Sequence, residues 1–299
     1  MDHAAKSGPD GRGIPALKPE RRRLLREWRL VAISVSCIAL VLGGGSYTWR
    51  LDQALYDAGL ALIERPADER IVIVAVDDES VTALGRWPWG RRVHAALLDR
   101  IAKAKPQAVG VDIGFTEPDR SDEQGDRELA EVFARVPGLV LPVLSDGTNE
   151  SLPLEAFRRT ARLAHVNIRL DLDGIVRSVE LQRTAPGGKR DYLARAMLAQ
   201  RGRIVDSVSH LEKLEIAFAG PPGRYQRISA ARIVRGEVGA SEMAGKFVLI
   251  GVTATGLGDK HATPSTVSGG PMPGVEIIAN VLDNLLSGKH MVRAPAWFV

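Results

Sequence analysis

Arg70-Ile-Val-Ile-Val-Ala-Val-Asp77 is a run of six apolar residues, five of them β-branched, between two charges. No polar residue alternates with the apolar ones. A half-exposed strand would alternate, so the run predicts a strand buried on both faces, the condition of a parallel sheet. C-terminal to it, a helix is predicted over about residues 90–105, with Val93, Leu97, Leu98 and Ile101 on one face. Gln107-Ala-Val-Gly-Val-Asp-Ile-Gly-Phe115 predicts a second strand. Strand, helix and strand in about 45 residues form a βαβ unit. A polar loop at 119–125, a helix over 127–136 and an apolar strand at Leu139–Leu144 follow; Pro142 predicts an edge or a strand end.

The middle of the chain changes character. Residues 165–170 and 176–183 alternate around Asp173-Gly174, which predicts an inserted antiparallel hairpin. A helix over about 192–200 and a short strand at 215–219 come next, and Ser229 is placed to cap a helix ending near Gly236. The βα pattern then returns. Lys246-Phe-Val-Leu-Ile-Gly251 is a buried strand, 252–273 is a Gly-, Thr- and Pro-rich loop, and 274–287 is a helix. The fold class is therefore α/β: a mostly parallel sheet flanked by helices, with an inserted antiparallel hairpin region.

N-terminal to the first strand, Leu51, Leu55, Ala58 and Leu62 recur at helical spacing up to Pro66. Before them, Leu30 to Trp49 contains no charged residue. Twenty residues at about 1.5 Å each reach about 30 Å, the thickness of a hydrocarbon core. Trp28, Tyr47 and Trp49 lie near its ends, where aromatic rings favour headgroups. An uncleaved anchor is preferred over a signal peptide, because no Ala-x-Ala site follows, and over a buried soluble helix.

The chain has 299 residues, 45% hydrophobic and 25% charged. That excludes wholesale disorder, collagen and coiled coil. Mean hydropathy is −0.05, which excludes a polytopic membrane protein. The one cysteine, Cys37, allows no internal disulfide. Residues 1–29 hold eight Lys/Arg against four Asp/Glu, which accounts for the whole net charge of +4. The rest carries 32 of each sign, and a neutral body argues against nucleic acid as partner. The basic side of the span predicts a cytoplasmic tail (1–29), an inner-membrane helix (30–49) and an extracytoplasmic domain (50–293). Residues 294–299, with Pro295 and Trp297-Phe-Val299, read as the start of a second span in a chain that continues.

Ligands of open α/β sheets gather at the carboxyl ends of strands. Asp77, Asp78 and Glu79 follow the first strand and Asp112 ends the second, where they serve either a ligand or helix capping. Gly85-Arg-Trp-Pro-Trp-Gly90 reads equally as a stacking surface beside Arg91 or as a plug on the sheet. Gly251-Val-Thr-Ala-Thr-Gly256-Leu-Gly-Asp259 fails the Walker and dinucleotide patterns and leaves Thr253 and Asp259 as ligand candidates or turn residues. No two histidines lie three or four residues apart, so a structural zinc site is not expected, and no Gly-x-Ser-x-Gly elbow occurs. No cofactor is implied.

Six strings occur in register: Val74-Ala-Val-Asp-Asp-Glu-Ser80, Gly85-Arg-Trp-Pro-Trp89, Val109-Gly-Val-Asp112 with Phe115, Asp173-Gly174 with Val176-Arg177, Val248 to Ala254 with Asp259, and Met272-Pro-Gly-Val-Glu276 with Ala279-Asn280. Together they resemble the second type of CHASE domain, the cyclase- and histidine-kinase-associated sensory extracellular domain. The resemblance implies a bacterial membrane receptor sensing an unknown small-molecule or envelope signal. Its output module, a cyclase or kinase, would lie outside this chain and could bring two copies together. The recurring positions map onto Asp77, Asp78, Ser80, Trp87, Pro88, Arg91, Asp112, Phe115, Asp173, Arg177, Thr253, Asp259, Glu276 and Asn280. Eleven are ligand candidates: Asp77, Asp78, Ser80, Trp87, Arg91, Asp112, Asp173, Arg177, Thr253, Asp259 and Asn280. Two rival expectations stand beside the sensor: a metal-dependent extracytoplasmic hydrolase using Asp77, Asp78, Asp112 and Asp259, and a cell-envelope scaffold module.

Overall fold

The computed structural model describes residues 19–44, 65–145, 149–185, 188–200, 211–268 and 270–292, together with residues 53, 56, 57 and 59. It divides into two compact units, Met1–Tyr56 and Asp57–Val299. The first contributes one helix, α1 (Pro19–Gly44). From Leu30 to Val41 every residue of α1 is exposed. Residues 45–49 of the predicted span, the basic tail before Pro19, most of the helix predicted over 50–66, and residues 294–299 lie outside the described residues. Among the described residues, no helix is long and apolar enough to cross a membrane.

The second unit is built on the strand the sequence points to. All six residues of β1 (Ile71–Val76) are buried. Parallel partners flank it: β10 (Gln226–Ser229) on one side and β11 (Phe247–Val252) on the other. Beyond β11 come β2 (Ala108–Val111) and β3 (Leu139–Ser145), also parallel. The edge strand β5 (Arg162–His165) runs parallel to β3, and the short β4 (Glu150–Ser151) pairs antiparallel with its last two residues. The period of two explains the unbroken apolar run. Ile71 and Ile73 face one core, while Val72, Val74 and Val76 face the other.

Helices cover both faces. The core with Val72 is closed by α2 (Asp78–Leu84), α3 (Arg91–Lys103), α4 (Glu123–Phe133), α5 (Glu155–Arg158) and α7 (Ala230–Arg235). The core with Ile71 is closed by α6 (Leu193–Ala199) and α8 (Gly274–Ser287). The last helix is buried from Gly274 to Leu285, polar residues included. Gly251 permits this approach, because a Cβ there would lie 2.5 Å from Val275 Cβ.

Three local expectations need correction. Pro142 is neither at a sheet edge nor at a strand end. It lies mid-strand opposite Ala164, just past Val140, where pairing with β2 stops and a missing N–H costs nothing. The Asp173-Gly174 turn exists, with Gly174 N–H donating to Asp171 O and Gly174 at φ 79°, but its flanks form one isolated bridge, Arg169 to Ser178. β6 (Ser178–Glu180) pairs instead with β9 (Lys213–Glu215), and the antiparallel hairpin is β7 (Gln182–Ala185) with β8 (Gly188–Asp191). The helix expected at 127–136 begins four residues earlier, because the Asp122 carboxylate accepts from Gly125 N–H and caps it. A last antiparallel pair, β12 (Lys260–His261) and β13 (Met272–Pro273), closes the loop before α8.

Candidate functional site

The sheet's C-terminal edge gathers Asp77, Asp78, Asp112 and Thr253, but their environments differ. Asp77 is the N-cap of α2: its Oδ1 accepts from Ser80 N (2.8 Å), Ser80 Oγ (2.6 Å) and Ser229 Oγ (2.9 Å). Ser80 Oγ in turn accepts from Ala231 N at 3.1 Å, so it caps α7, a task expected of Ser229. Asp78 accepts from the Thr255 amide and hydroxyl, pinning the loop after β11. These side chains tie helix starts and loops together. For Asp77, Asp78 and Ser80, the capping alternative describes what the structure holds.

Trp87 and Arg91 belong to a plug. Trp87 and Trp89 meet at 5.1 Å between ring centroids, and contacts continue through His94 and Phe115 to Phe133 and Phe157. Arg91 lies over the Phe115 ring at 5.0 Å and donates to Asp126 Oδ1 and the Glu117 carbonyl. Burial, and then the Arg91 charge, push the His94 imidazole down to about 4.

Asp173 and Arg177 belong to a clasp on the 171–177 turn. The Arg177 side chain is fully buried and donates to Asp57, Asp171 and Asp173 at 2.6–3.0 Å. Its guanidinium stands where a cation would sit among three carboxylates, and its hydrogen bonds hold Asp173 below the usual carboxylate range. Asn280 serves the fold too, accepting from Ala219 N at 2.8 Å and Tyr225 Oη at 3.2 Å. Glu276, fully buried, accepts from the Gly223 amide and from Arg227.

Asp112 and Asp259 are different. A Cβ added to Gly274 would lie 3.7 Å from Asp112 Oδ2 and 4.0 Å from Asp259 Cβ, so both residues flank the first residue of α8. Gly274 N donates to the Asp259 carbonyl at 2.9 Å. Neither carboxyl group has a hydrogen bond or ion pair among the described residues, although the Asp259 charge acts on the His261 imidazole. Burial first, and the Asp259 charge second, push the Asp112 carboxyl up to about 7. Thr253 donates its amide to Val76 O, while its hydroxyl bonds to nothing among the described residues.

Two residues outside the predicted set complete this edge. Tyr192 is wholly buried, its hydroxyl has no partner, and its ionisation is suppressed by burial and then by the Asp112 charge. His165, 3% exposed, packs on the Tyr192 ring at 5.3 Å with neither nitrogen partnered. Burial pushes that imidazole down to about 4 and keeps it neutral. No sequence signal marks either, since an unpartnered hydroxyl is a property of packing. Among the described residues, no three His, Cys, Asp or Glu side chains are grouped to hold a metal, so the four acids of the hydrolase alternative do not form one site.

The six strings thus sit at helix caps, a plug, a clasp and one open carboxyl pair, and a family model, the CHASE2 domain, matches residues 31–299. The chain belongs to the CHASE2 domain family. No curated protein and no solved structure matches it. CHASE2 domains are sensory extracellular domains rather than catalytic ones, and the geometry above places most of the CHASE2 positions in the framework of the sheet.

Proposed function

We propose that this CHASE2 domain is a membrane-anchored extracytoplasmic sensor. Residues 30–49 form the anchor, the basic N-terminus is cytoplasmic, and the sheet-bearing unit faces outward. A signal bound at the Asp112–Asp259 edge favours one of two arrangements, and α8 passes the difference to a cytoplasmic output module. Such a signal acts only through unequal affinity for the two arrangements.

One observation carries the anchor. Leu30, Val31, Ile33, Val35, Ile38, Leu40 and Val41 are each more than half exposed on one helix. At 100° per residue they spread over about 220° of its circumference, wider than the apolar stripe of about 100° on a helix packed against protein on one side, which suits lipid. Leaving such a side chain in water forgoes about 1.5–3 kcal/mol. The uncharged part of α1 ends, as described, at Gly44, which leaves it about 22 Å long and short of a bilayer core. In the sequence the uncharged run continues to Trp49.

The test is labelling with a membrane-impermeant maleimide in intact cells, on a Cys37→Ser background. Glu131→Cys, on an exposed position of α4, should label. Ser7→Cys should label only after lysis, and the protein should need detergent for extraction. The reverse pattern, or release without detergent, overturns the proposal.

A further inference from the structure

Leu172 is the most exposed large apolar side chain among the described residues, at 94%, and Leu170 is 54% exposed. A lone surface leucine is ordinary. These two stand on a turn that cannot fold them inward. Gly174 N donates to Asp171 O at 2.9 Å, Asp171 N to Ile175 O at 3.0 Å, and Ile175 N to Asp173 Oδ1 at 3.2 Å. The carboxylates of Asp171 and Asp173 both turn onto the buried Arg177 guanidinium, so Leu172 between them is directed outward. Asp57 shows where the turn stands in the molecule, because it binds the same guanidinium at 2.6 and 2.9 Å. Asp57 follows Trp49, the end of the uncharged run, by eight residues. Eight residues reach at most about 29 Å even when fully extended. The last described residues return to the same corner. Arg169, Ser178, Glu215 and Met291 bridge in series. At about 4.8 Å per step, Met291 lies about 14 Å across that ladder from Arg169. Val292 beside it is 77% exposed.

We propose that the 170–174 turn rests on the bilayer that holds the anchor, with Leu170 and Leu172 in the boundary between headgroups and acyl chains. The inference rests on the sensor reading above, because it needs residues 30–49 in that bilayer. A lipid boundary takes apolar side chains without a matching shape, to a depth of about 5–10 Å. A stable protein interface buries about 800 Å² on each partner, and this turn offers two leucines. The chain tether also keeps the turn within reach of the bilayer. The clasp carries one positive charge against three negative ones, so a zwitterionic surface suits it better than an anionic one. The turn gives the domain a second foothold beside its anchor. A shift of α8 then moves one part of the domain against the membrane, instead of turning the whole domain about its tether.

The test reconstitutes the full chain, on a Cys37→Ser background, into phosphatidylcholine vesicles. A nitroxide is attached at Leu172→Cys, Glu131→Cys or Ile38→Cys, all exposed positions whose replacement leaves the core untouched. Collisions with oxygen, which concentrates in lipid, and with a water-soluble nickel chelate read the depth of each label. The label at 172 should favour oxygen and lie about 5–10 Å inside the boundary. The label at 38 should lie deeper, and the label at 131 should favour nickel. A label at 172 as aqueous as the one at 131, with 38 still in lipid, overturns the inference and leaves the anchor standing. An aqueous label at 38 overturns both readings. A label at 172 shielded from both reagents assigns the turn to a protein contact, a second copy where dipolar broadening accompanies it, and overturns the inference as well.

Discussion

Asp112 is a residue the fold would be better without. Its carboxyl titrates near 3.8 in an unfolded chain and near 7 in the folded one. The folded state therefore holds a proton that the unfolded chain has released between those values. The associated stability is complete below about pH 4 and is lost as pH rises through 7, on the order of 2–3 kcal/mol for a partly buried group. Asp112→Asn should leave the chain as stable as the native one at pH 4 and raise its melting temperature at pH 8. His94 and His165 act oppositely. Both titrate near 6.5 unfolded and near 4 folded, so their contribution is complete above 6.5 and lost as pH falls through 4. Melting at pH 4, 6 and 8 separates the limbs. An Asn variant destabilised at pH 8 would make Asp112 a framework residue and remove it from the site. The sequence placed Asp112 at a strand end but could not separate it from Asp77, which likewise follows a strand and lies across β11 from it. The difference is whether hydroxyl and amide groups from other elements reach the carboxylate, and Ser229 reaches Asp77 from 152 residues away.

Among the elements, those with strong local signals were legible. The unbroken apolar run of β1 and the amphipathic pattern of α8 were read with correct limits, because burial on both faces and helical spacing are written in consecutive residues. The Asp173-Gly174 turn was legible as a turn but not as a clasp. Its aspartates are engaged by a buried Arg177, and the strand after it finds β9, far along the chain. A polar stripe on α8 could have been read: Glu276, Asn280, Asp283 and Asn284 recur at helical spacing among apolar residues, and all are buried. Two glycines test how closely α8 is held. Gly251→Ala puts a methyl 2.5 Å from Val275 Cβ, a branched carbon on a packed helix that cannot yield without moving the helix. The expected cost is about 2–3 kcal/mol in urea melts. Gly274→Ala meets only ordinary contacts of 3.7–4.0 Å and should change stability by less than about 1 kcal/mol, alanine being the better helix former. Equal effects at the two positions would mean that α8 is not seated on β11 through Gly251.

For the molecule as a whole, the question is how a change at the first turn of α8 reaches the chain entering the sheet. The helix is 14 residues, about 21 Å, long, and its far end is fastened. Asp283, 2% exposed, accepts from Arg65 Nη1 at 2.6 Å, from the Asp68 amide at 3.0 Å and from Tyr225 Oη at 3.0 Å. Asn284 exchanges two hydrogen bonds with Ala217, and Arg65 also donates to the Ala217 carbonyl. One carboxylate thus joins the segment leading into β1, the strand β10 neighbourhood and the last helix. A shift of α8 along its axis must either break this set or carry residues 65–68 with it. Asp283→Asn keeps the shape, removes the charge and leaves Arg65 nearly buried without its counter-ion. Breaking such a pair costs about 3 kcal/mol or more. Arg65→Met in the same chain should recover part of that loss, with a coupling of about 1–3 kcal/mol in a double-mutant cycle. Additive losses would mean that the two residues stabilise the fold independently. The axis from Gly274 to Ser287 would then end in the core rather than at the segment that leads toward the anchor, and α8 could not be the element that carries the signal.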